Sequence, residues 1–155
     1  MKISRNFLLP IFLLIAACAW SQNSQSAMVN IYLDGVEEAK IGSMITLVIE
    51  VEPKADWKVY SSVPSEEGAY RPAEVGWEIA SRGFEAGEKL TEEGYMKVEM
   101  DDVMGGVVRY FKQKVVFKFP LKVTEEQVKV AGYFDYMACN EYQCIPYTAD
   151  FELEA

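Results

Sequence analysis

Residues 115–123 read VVFKFPLKV, which is a main indication of the fold. Its apolar side chains recur at every second position, at Val115, Phe117, Phe119, Leu121 and Val123. Successive side chains of a β-strand point to opposite faces, so this spacing predicts a strand with one buried face. The stretch also holds Pro120, which has no N–H to donate to a neighbouring strand. We therefore expect this strand to lie at a sheet edge or to bulge at the proline.

The same alternation, complete or shortened, runs through the chain on both sides of this stretch. Eight further segments carry it: 28–33, 45–51, 57–60, 75–79, 96–100, 107–111, 128–139 and 147–153. Turn residues such as Asp34-Gly35 and Gly105-Gly106 separate them, and outside the N-terminal apolar segment no window has helical spacing. Eight or nine short strands without a long helix predict an all-β fold, an immunoglobulin-like antiparallel β-sandwich, with a small barrel as the alternative.

Charge and composition exclude several classes of function. The chain has 24 acidic residues, 15 basic residues and no histidine, for a formal net charge of −9. An acidic surface repels phosphate backbones, so we exclude nucleic acid as a partner. Without histidine there is neither the usual general base at neutral pH nor the usual metal ligand, and we expect no catalytic triad, metal or cofactor. Any chemistry should then belong to the three cysteines, Cys18, Cys139 and Cys144.

The N-terminus has the composition of an export signal. Two basic residues precede an apolar run, 7–20, which is shorter than the roughly 20 residues that a membrane-spanning helix needs. One processing alternative is a signal peptide of residues 1–21, removed before Gln22. The other is lipoprotein processing at Ile15-Ala16-Ala17-Cys18, which would leave a lipid on Cys18.

Export sets the expected domain boundaries and location. Residues 22–27, QNSQSA, are small and polar without periodicity, as is typical of a flexible leader. The folded domain is therefore expected to cover residues 28–155. We expect it to be periplasmic or otherwise exported, with a membrane anchor if Cys18 is lipidated.

Two cysteines remain in the predicted domain. Cys139 and Cys144 bracket four residues between two predicted strands, at a hairpin tip. Residues that flank such a turn face each other at a separation that a disulfide can bridge, and an oxidising compartment favours the bond. Two roles stay open. A staple across so short a ring contributes only about 2 kcal/mol by loop-closure entropy, whereas an exposed ring is open to attack by a thiolate and to exchange.

The stretch GYFDYMACNEYQCIPY, residues 132–147, resembles the active-site hairpin of the N-terminal periplasmic domain of DsbD, the thiol:disulfide interchange protein. Segment 57–61, WKVYS, resembles that family's W-x-x-Y-S strand. Gly68 with Pro72 resembles its following Gly/Pro loop, and segment 101–111, DDVMGGVVRYF, resembles its acidic turn with glycine and R-Y-F. Together these matches extend from about residue 30 to residue 153.

The resemblance implies that Cys139 and Cys144 are the redox pair of an immunoglobulin-like domain. It implies that Cys144 forms the mixed disulfide with a partner and that Cys139 resolves it. It also implies a cap loop that shields the pair, made of Asp101, Asp102, Val103, Met104 and Gly105. Either Val103 or Met104, depending on register, stands where the family has an aromatic residue, so we expect looser shielding.

The resemblance further implies two neighbours of the pair. Tyr60 matches an aromatic residue beside the cysteines, although an ordinary sandwich-edge tyrosine is the alternative. Pro146 follows the pair as in the family, but Tyr147 stands where many members have a second proline. We expect this difference to alter the rigidity of the hairpin.

The implied partners are a membrane-embedded thiol reductase and periplasmic thioredoxin-like proteins. Because this chain ends at Ala155, just after its last predicted strand, the reductase is expected on another chain. The alternative function is a non-catalytic exported β-sandwich that binds a partner and uses the hairpin disulfide only as a structural element.

Acidic residues suggest how exchange would be controlled. The candidates to lie near the pair are Asp101, Asp102, Asp135 and Glu141. Negative charge disfavours a thiolate and raises the pKa of the thiol. We therefore expect slow exchange outside cognate complexes.

Overall fold

The computed structural model describes residues 20–155, and of residues 20–23 it describes the backbone alone. The predicted export signal up to residue 19, including Cys18, lies outside the described residues, so both processing alternatives stay predictions. Among the described residues, no helix is long and apolar enough to cross a membrane.

Strands make up nearly all the regular structure of the described chain. In chain order they are β1 (Trp20–Asn23), β2 (Ala27–Asp34), β3 (Met44–Pro53), β4 (Lys58–Tyr60), β5 (Glu74–Trp77), β6 (Phe84–Ala86), β7 (Thr91–Glu93), β8 (Met96–Asp101), β9 (Gly106–Phe111), β10 (Val115–Val123), β11 (Lys129–Cys139) and β12 (Cys144–Glu154). One short 3-10 helix, Val36–Glu38, links β2 to β3.

The strands form two antiparallel sheets that pack as a sandwich. One sheet has the order β1-β2-β3-β10-β6, and β7 also pairs with β10. The other has the order β12-β11-β4-β9-β8, and β5 also pairs with β11. The predicted immunoglobulin-like sandwich is confirmed. The strands missing from the predicted eight or nine are β1, β6 and β7, each too short for a period-two pattern to stand out in the sequence.

Pro120 corrects the prediction of an edge strand. β10 lies inside its sheet, with Pro120 opposite Thr46 of β3 and with β6 and β7 both on the other side. The gap between β6 and β7 falls at the proline, whose carbonyl accepts the N–H of Gly87 at 2.8 Å. The nitrogen of a strand residue points the same way as its carbonyl, so the missing N–H faces this gap. A Cβ on Gly87 would lie 2.7 Å from the ring of Pro120, so glycine permits the close approach.

Two predicted strands differ from the structure at their edges. β5 ends at Trp77, and Ile79, which the pattern included, is fully exposed. β8 is the outermost strand of its sheet, and its Val98 and Met100 are 58% and 64% exposed although their spacing is that of a buried face. Alternation alone does not reveal whether another layer covers the apolar side of a strand.

Residues 22–27 correct the prediction of a flexible leader. The backbone of β1 pairs with β2, with Gln22 opposite Val29, so the fold begins before residue 28. The Oγ of Ser24 accepts the N–H of Ala27 at 3.0 Å, and the hydroxyl of Tyr136 donates to the same oxygen at 3.1 Å. Composition indicated a mobile segment, but these hydrogen bonds hold the polar turn against the domain.

Apolar side chains form two clusters on opposite faces of the second sheet. The larger lies between the sheets, with Phe117 and Phe134 fully buried. We call the smaller one the outer cluster; it consists of Tyr60, Ala69, Tyr70, Val108, Tyr110 and Cys139, with Met104 and Met137 packed against it. Val59 belongs to the larger cluster and Tyr60 to the outer one, because successive side chains of β4 point to opposite faces. This outer face carries the cysteine pair.

Candidate functional site

The cysteine pair closes the longest hairpin of the sandwich. β11 and β12 pair over all 11 residues of β11, from Lys129 opposite Glu154 to Cys139 opposite Cys144. The two sulfurs are joined in a disulfide, and the Cα atoms of Cys139 and Cys144 are 4.1 Å apart. The predicted hairpin tip and the predicted disulfide are both present.

Asn140 organises the loop between the cysteines. Its N–H donates to the carbonyl of Gln143 at 2.9 Å. Its side-chain oxygen accepts the N–H groups of Tyr142 and Gln143, both at 2.9 Å. Asparagine side chains often fold a tight turn through such bonds to the backbone. The ring is therefore held in shape by the loop's own hydrogen bonds as well as by the disulfide.

The two cysteines differ sharply in exposure. Cys139 is 1% exposed and belongs to the outer cluster, whereas Cys144 is exposed to solvent. A thiolate from another molecule can therefore approach Cys144, while Cys139 is covered. This difference agrees with the order of attack that the family resemblance implies.

Three tyrosines belong to the same cluster as Cys139. The ring of Tyr60 stacks on Tyr70 with centroids 4.9 Å apart and meets Tyr110 edge-on at 6.3 Å. Tyr60 is fully buried, and its hydroxyl has no hydrogen-bond partner in the part of the chain that the structure describes. Burial, and next the nearby carboxylate of Asp101, raise the pKa of Tyr60 to about 12. Tyr60 therefore keeps its proton at neutral pH and is not a simple edge tyrosine.

The predicted cap loop is the tight turn between β8 and β9. The Oδ1 of Asp101 accepts the N–H groups of Val103 and Met104, each at 3.0 Å, and Gly105 completes the turn with a φ of 76° that favours glycine. Met104 packs against the outer cluster, whereas Val103 is 95% exposed. Met104, not Val103, is thus the side chain that the turn places over the cluster that holds Cys139.

The predicted acidic neighbours separate into two groups. Asp101 lies beside the outer cluster, with its Oδ2 3.9 Å from the Nζ of Lys58. Asp135 is four rungs along the hairpin from Cys139, and it pairs with Arg71 at 3.2 Å and accepts the hydroxyl of Thr148. Asp102 and Glu141 are exposed turn residues. The structure therefore brings Asp101 to the site with a cation beside it, and it places Asp135 elsewhere.

Lys58 is a site residue that sequence reasoning missed. It lies directly opposite Cys139 on the adjacent strand β4. Its ammonium nitrogen is 4.5 Å from the ring centre of Tyr110 and 5.5 Å from that of Tyr60. Alternation along WKVYS already places Lys58 on the same face as Tyr60, but the register with Cys139 is a tertiary fact.

A segment from the other sheet holds the loop that follows Tyr60. The carboxylate of Glu92, on β7, accepts the hydroxyls of Ser61 and Ser62 at 2.5 Å and 2.8 Å and the N–H of Ser62 at 2.8 Å. Farther along the same loop, the hydroxyl of Tyr70 donates to the carbonyl of Val63 at 2.5 Å. These bonds fix the loop that stacks Tyr70 on Tyr60. Sequence reasoning singled out neither Glu92 nor Tyr70.

Pro146 and Tyr147 follow the pair on opposite faces of β12. Pro146 is exposed and lies opposite Met137, which packs against the outer cluster. Tyr147 turns toward the main core and stacks on Tyr136, with centroids 5.3 Å apart. The residue that replaces a second proline therefore supplies a cross-strand aromatic pair.

Comparison with known proteins agrees with this geometry. The family described as "Thiol:disulfide interchange protein DsbD, N-terminal" matches residues 36–155. The N-terminal periplasmic domain of ScsB from Proteus mirabilis has a TM-score of 0.58 and 21% sequence identity, over 84% of this chain and 47% of that one. The chain thus spans about half the length of that ScsB domain, and their similarity supports the fold. No curated protein matches the chain.

Two further solved structures are more distant. The reduced N-terminal domain of DsbD from Neisseria meningitidis has a TM-score of 0.44 and 13% identity, over 70% of this chain and 76% of that one. The GAE domain of GGA2p from Saccharomyces cerevisiae has a TM-score of 0.48 and 10% identity, over 88% of this chain and 97% of that one. Similarity this low supports no statement about function. The family match covers most of the chain and includes the cysteine hairpin, so the chain belongs to the DsbD N-terminal family of thiol:disulfide interchange proteins.

Proposed function

We propose that this chain is a periplasmic thiol-disulfide exchange domain that relays electrons through Cys139 and Cys144. Electrons would pass from a membrane-embedded thiol reductase to thioredoxin-like partners. The observation that carries the proposal is the unequal exposure of the two cysteines within one short ring. Cys144 is an exposed residue, while Cys139 is held in a packed cluster.

The exchange proceeds in two balanced steps. The reductase's thiolate attacks Cys144, a new bond forms between the two proteins, and the electron pair of the broken disulfide leaves on Cys139. A second thiol of the reductase then releases the domain with both cysteines reduced. Toward an oxidised acceptor the steps run in reverse: the thiolate of Cys144 attacks the acceptor's disulfide, and Cys139 resolves the mixed disulfide.

The cap turn supports a shielded relay rather than an open one. Met104 covers the outer cluster with a flexible thioether, and the tyrosines beneath it exclude water from Cys139. Under this proposal Asp101, Asp102, Val103, Met104 and Gly105 form a cap that a partner must displace or adapt to. The acidic turn also makes exchange with unspecific thiolates unfavourable.

Two aspects of location belong to the same proposal. Export through the N-terminal segment would place the domain in the periplasm. The similar ScsB domain is described as periplasmic. If the segment is processed at Cys18, a lipid there would hold the relay at the membrane surface, near a membrane-embedded donor. Intact-mass analysis of the exported protein distinguishes lipidation from cleavage before Gln22.

The reduction potential of the pair tests the proposal. The protein is equilibrated in glutathione or dithiothreitol buffers, its free thiols are alkylated, and the masses are read at the Cys139–Cys144 peptide. We expect a value between about −120 and −270 mV, the range of exchange proteins. A value below about −300 mV marks a structural bond and favours the alternative, a non-catalytic binding module.

Two cysteine variants test which cysteine forms the mixed disulfide with a partner. In Cys139→Ser, Cys144 should trap a mixed disulfide with an oxidised thioredoxin-like protein, because no resolving thiol remains. The matched variant Cys144→Ser leaves the buried thiol, and it should trap far less. Equal trapping by the two variants would contradict the proposed roles.

A further inference from the structure

Lys58 and the two cysteines form one row across three strands. Cys144 on β12 faces Cys139 on β11, and Cys139 in turn faces Lys58 on β4. Directly opposed residues of antiparallel strands project from the same face, with Cβ atoms about 5 Å apart. Lys58 is therefore the neighbour of Cys139 on the side away from the disulfide partner.

The side chain of Lys58 is largely buried, and its ammonium group has few polar contacts. Its side chain is only 20% exposed, and the nearest carboxylate oxygen, on Asp101, is 3.9 Å away, too far for a hydrogen bond. Within residues 24–155 no hydrogen bond donated by this ammonium is present, although the group has three protons to donate. The rings of Tyr110 and Tyr60 lie 4.5 Å and 5.5 Å from this nitrogen, and its N–H donors remain available to a nearby anion.

We propose that Lys58 stabilises the thiolate that forms on Cys139 when the disulfide is opened, and so speeds exchange at Cys144. The inference rests on the proposed exchange function and adds a residue to it. As a partner's thiolate bonds to Cys144, the S–S bond breaks and its electron pair becomes the charge on Cys139. The cation across the strand attracts that charge, and a better stabilised leaving thiolate departs faster.

Tyr60 supplies an independent indication that this face receives a charge. It is two residues from Lys58 on the same face of β4, and its buried hydroxyl has no hydrogen-bond partner within residues 24–155. A disulfide sulfur is a poor acceptor, but a thiolate is a good one. The hydroxyl of Tyr60 thus shares the outer cluster with Cys139, and Lys58 lies opposite Cys139 on the adjacent strand.

Other charged or titratable groups around this cluster would either stabilise or destabilise a thiolate on Cys139. They are Asp101 in the cap turn, Glu99 on β8, Arg109 and Tyr110 on β9, and Tyr60 and Tyr70. Glu99 accepts the hydroxyl of Tyr110 at 2.9 Å, and Asp101 faces Lys58 itself. The two carboxylates oppose a thiolate, so removal of Lys58 should leave their effect uncompensated.

The test compares Lys58→Met with Lys58→Arg and Lys129→Met. Lys129 is a matched control because it lies on the same sheet, is 22% exposed and pairs with Glu152 at 2.9 Å, at the far end of β11 from Cys139. The measured quantity is the rate constant for reduction of Cys139–Cys144 by dithiothreitol at fixed pH. We expect Lys58→Met to slow reduction about five-fold and the other two variants to stay within about two-fold.

A second readout separates charge from packing. In a Cys144→Ser background, the pKa of Cys139 is measured from its alkylation rate against pH, with and without Lys58→Met. We expect loss of Lys58 to raise this pKa by about 1 and Lys58→Arg to restore it. If Lys58→Met does not fold, Lys58→Gln replaces it in both assays.

The outcomes distinguish the two proposals. If the wild-type disulfide exchanges but Lys58→Met is reduced as fast as Lys129→Met and leaves the pKa of Cys139 unchanged, the role of Lys58 is wrong while the exchange function stands. If the wild-type pair has the potential of a structural bond, the exchange function itself fails. A slowed rate with an unchanged pKa of Cys139 would also overturn the role given to Lys58, because charge stabilisation requires both.

Discussion

Cys139 and Cys144 are bonded to each other, yet each has a different environment. Alternation along β11 turns Cys139 into the outer cluster, whereas Cys144 opens β12 beside an exposed loop. The two cysteines therefore differ in exposure, with Cys139 buried and Cys144 exposed. Under the proposed exchange, Lys58 and Tyr60 act on the buried one.

Tyr60 gives a prediction about alkaline stability. Its pKa is about 12 in the fold and about 10 in the unfolded chain, so the fold disfavours the ionised form, and the free energy of unfolding is unaffected below pH 10 and falls as the pH rises toward 12. Tyr60→Phe should keep the wild-type free energy of unfolding near pH 8, because the hydroxyl has no partner to lose. Toward pH 12 the variant should become the more stable protein.

Urea unfolding at the two pH values measures this difference. Tyr95→Phe is the control, since that tyrosine is largely exposed. A Tyr60→Phe variant whose stability relative to wild type does not change with pH would contradict the raised pKa.

The β8–β9 hairpin is the element that covers the site. Its turn is held by Asp101 and Gly105 and carries Met104 toward the outer cluster. β8 is also a sheet edge, so the hairpin has no neighbour on its outer side. Such an element can shift without breaking the sandwich, as the proposed cap role requires.

Truncating the cap side chain should uncover the buried side of the disulfide, at Cys139. We expect Met104→Ala to speed reduction by glutathione several-fold, because the thioether no longer covers the cluster beside Cys139. Val103→Ala is the matched control, since its side chain is already 95% exposed and should leave the rate unchanged. Equal rates for the two variants would mean that the turn does not shield the pair.

In the sandwich as a whole, the residues that stabilise the fold are separate from those that surround Cys139. The main core lies between the sheets, and the outer cluster lies on the opposite face of the second sheet. The two share strands β4, β9 and β11 but use alternate residues of them. The core therefore fixes the positions of the cysteine hairpin and of β4 without contributing side chains to the reacting face.

Removing an aromatic ring from the main core should lower the stability of the fold without changing the reduction potential of the cysteine pair. Phe117 is fully buried and its ring centre lies 5.2 Å from that of Phe134. We expect Phe117→Ala to lower the free energy of unfolding by about 3–5 kcal/mol. The reduction potential of the folded fraction should stay within error, because no outer-cluster contact is lost. Tyr95→Ala, at an exposed edge, should change stability by less than about 0.5 kcal/mol.

Strand periodicity and cysteine spacing determined much of this protein. The alternation in VVFKFPLKV and its counterparts predicted the sandwich, because period-two burial is a local property of extended chain. The spacing of Cys139 and Cys144 predicted the hairpin tip, because residues that flank a short turn must face each other. The resemblance in segments 57–61 and 101–111 indicated which other parts of the chain to examine.

Tertiary structure alone decided which side chains meet. Three features depend on segments far apart in the chain. They are the gap opposite Pro120, the hydrogen-bonded turn at 24–27 and the hydrogen bond from Ser62 to Glu92. The choice of Met104 over Val103 required the conformation of the turn. The row from Cys144 to Lys58 required the register of β4 against β11, which no local pattern encodes. Local sequence sets which face a residue occupies, but only strand pairing determines its neighbour on that face.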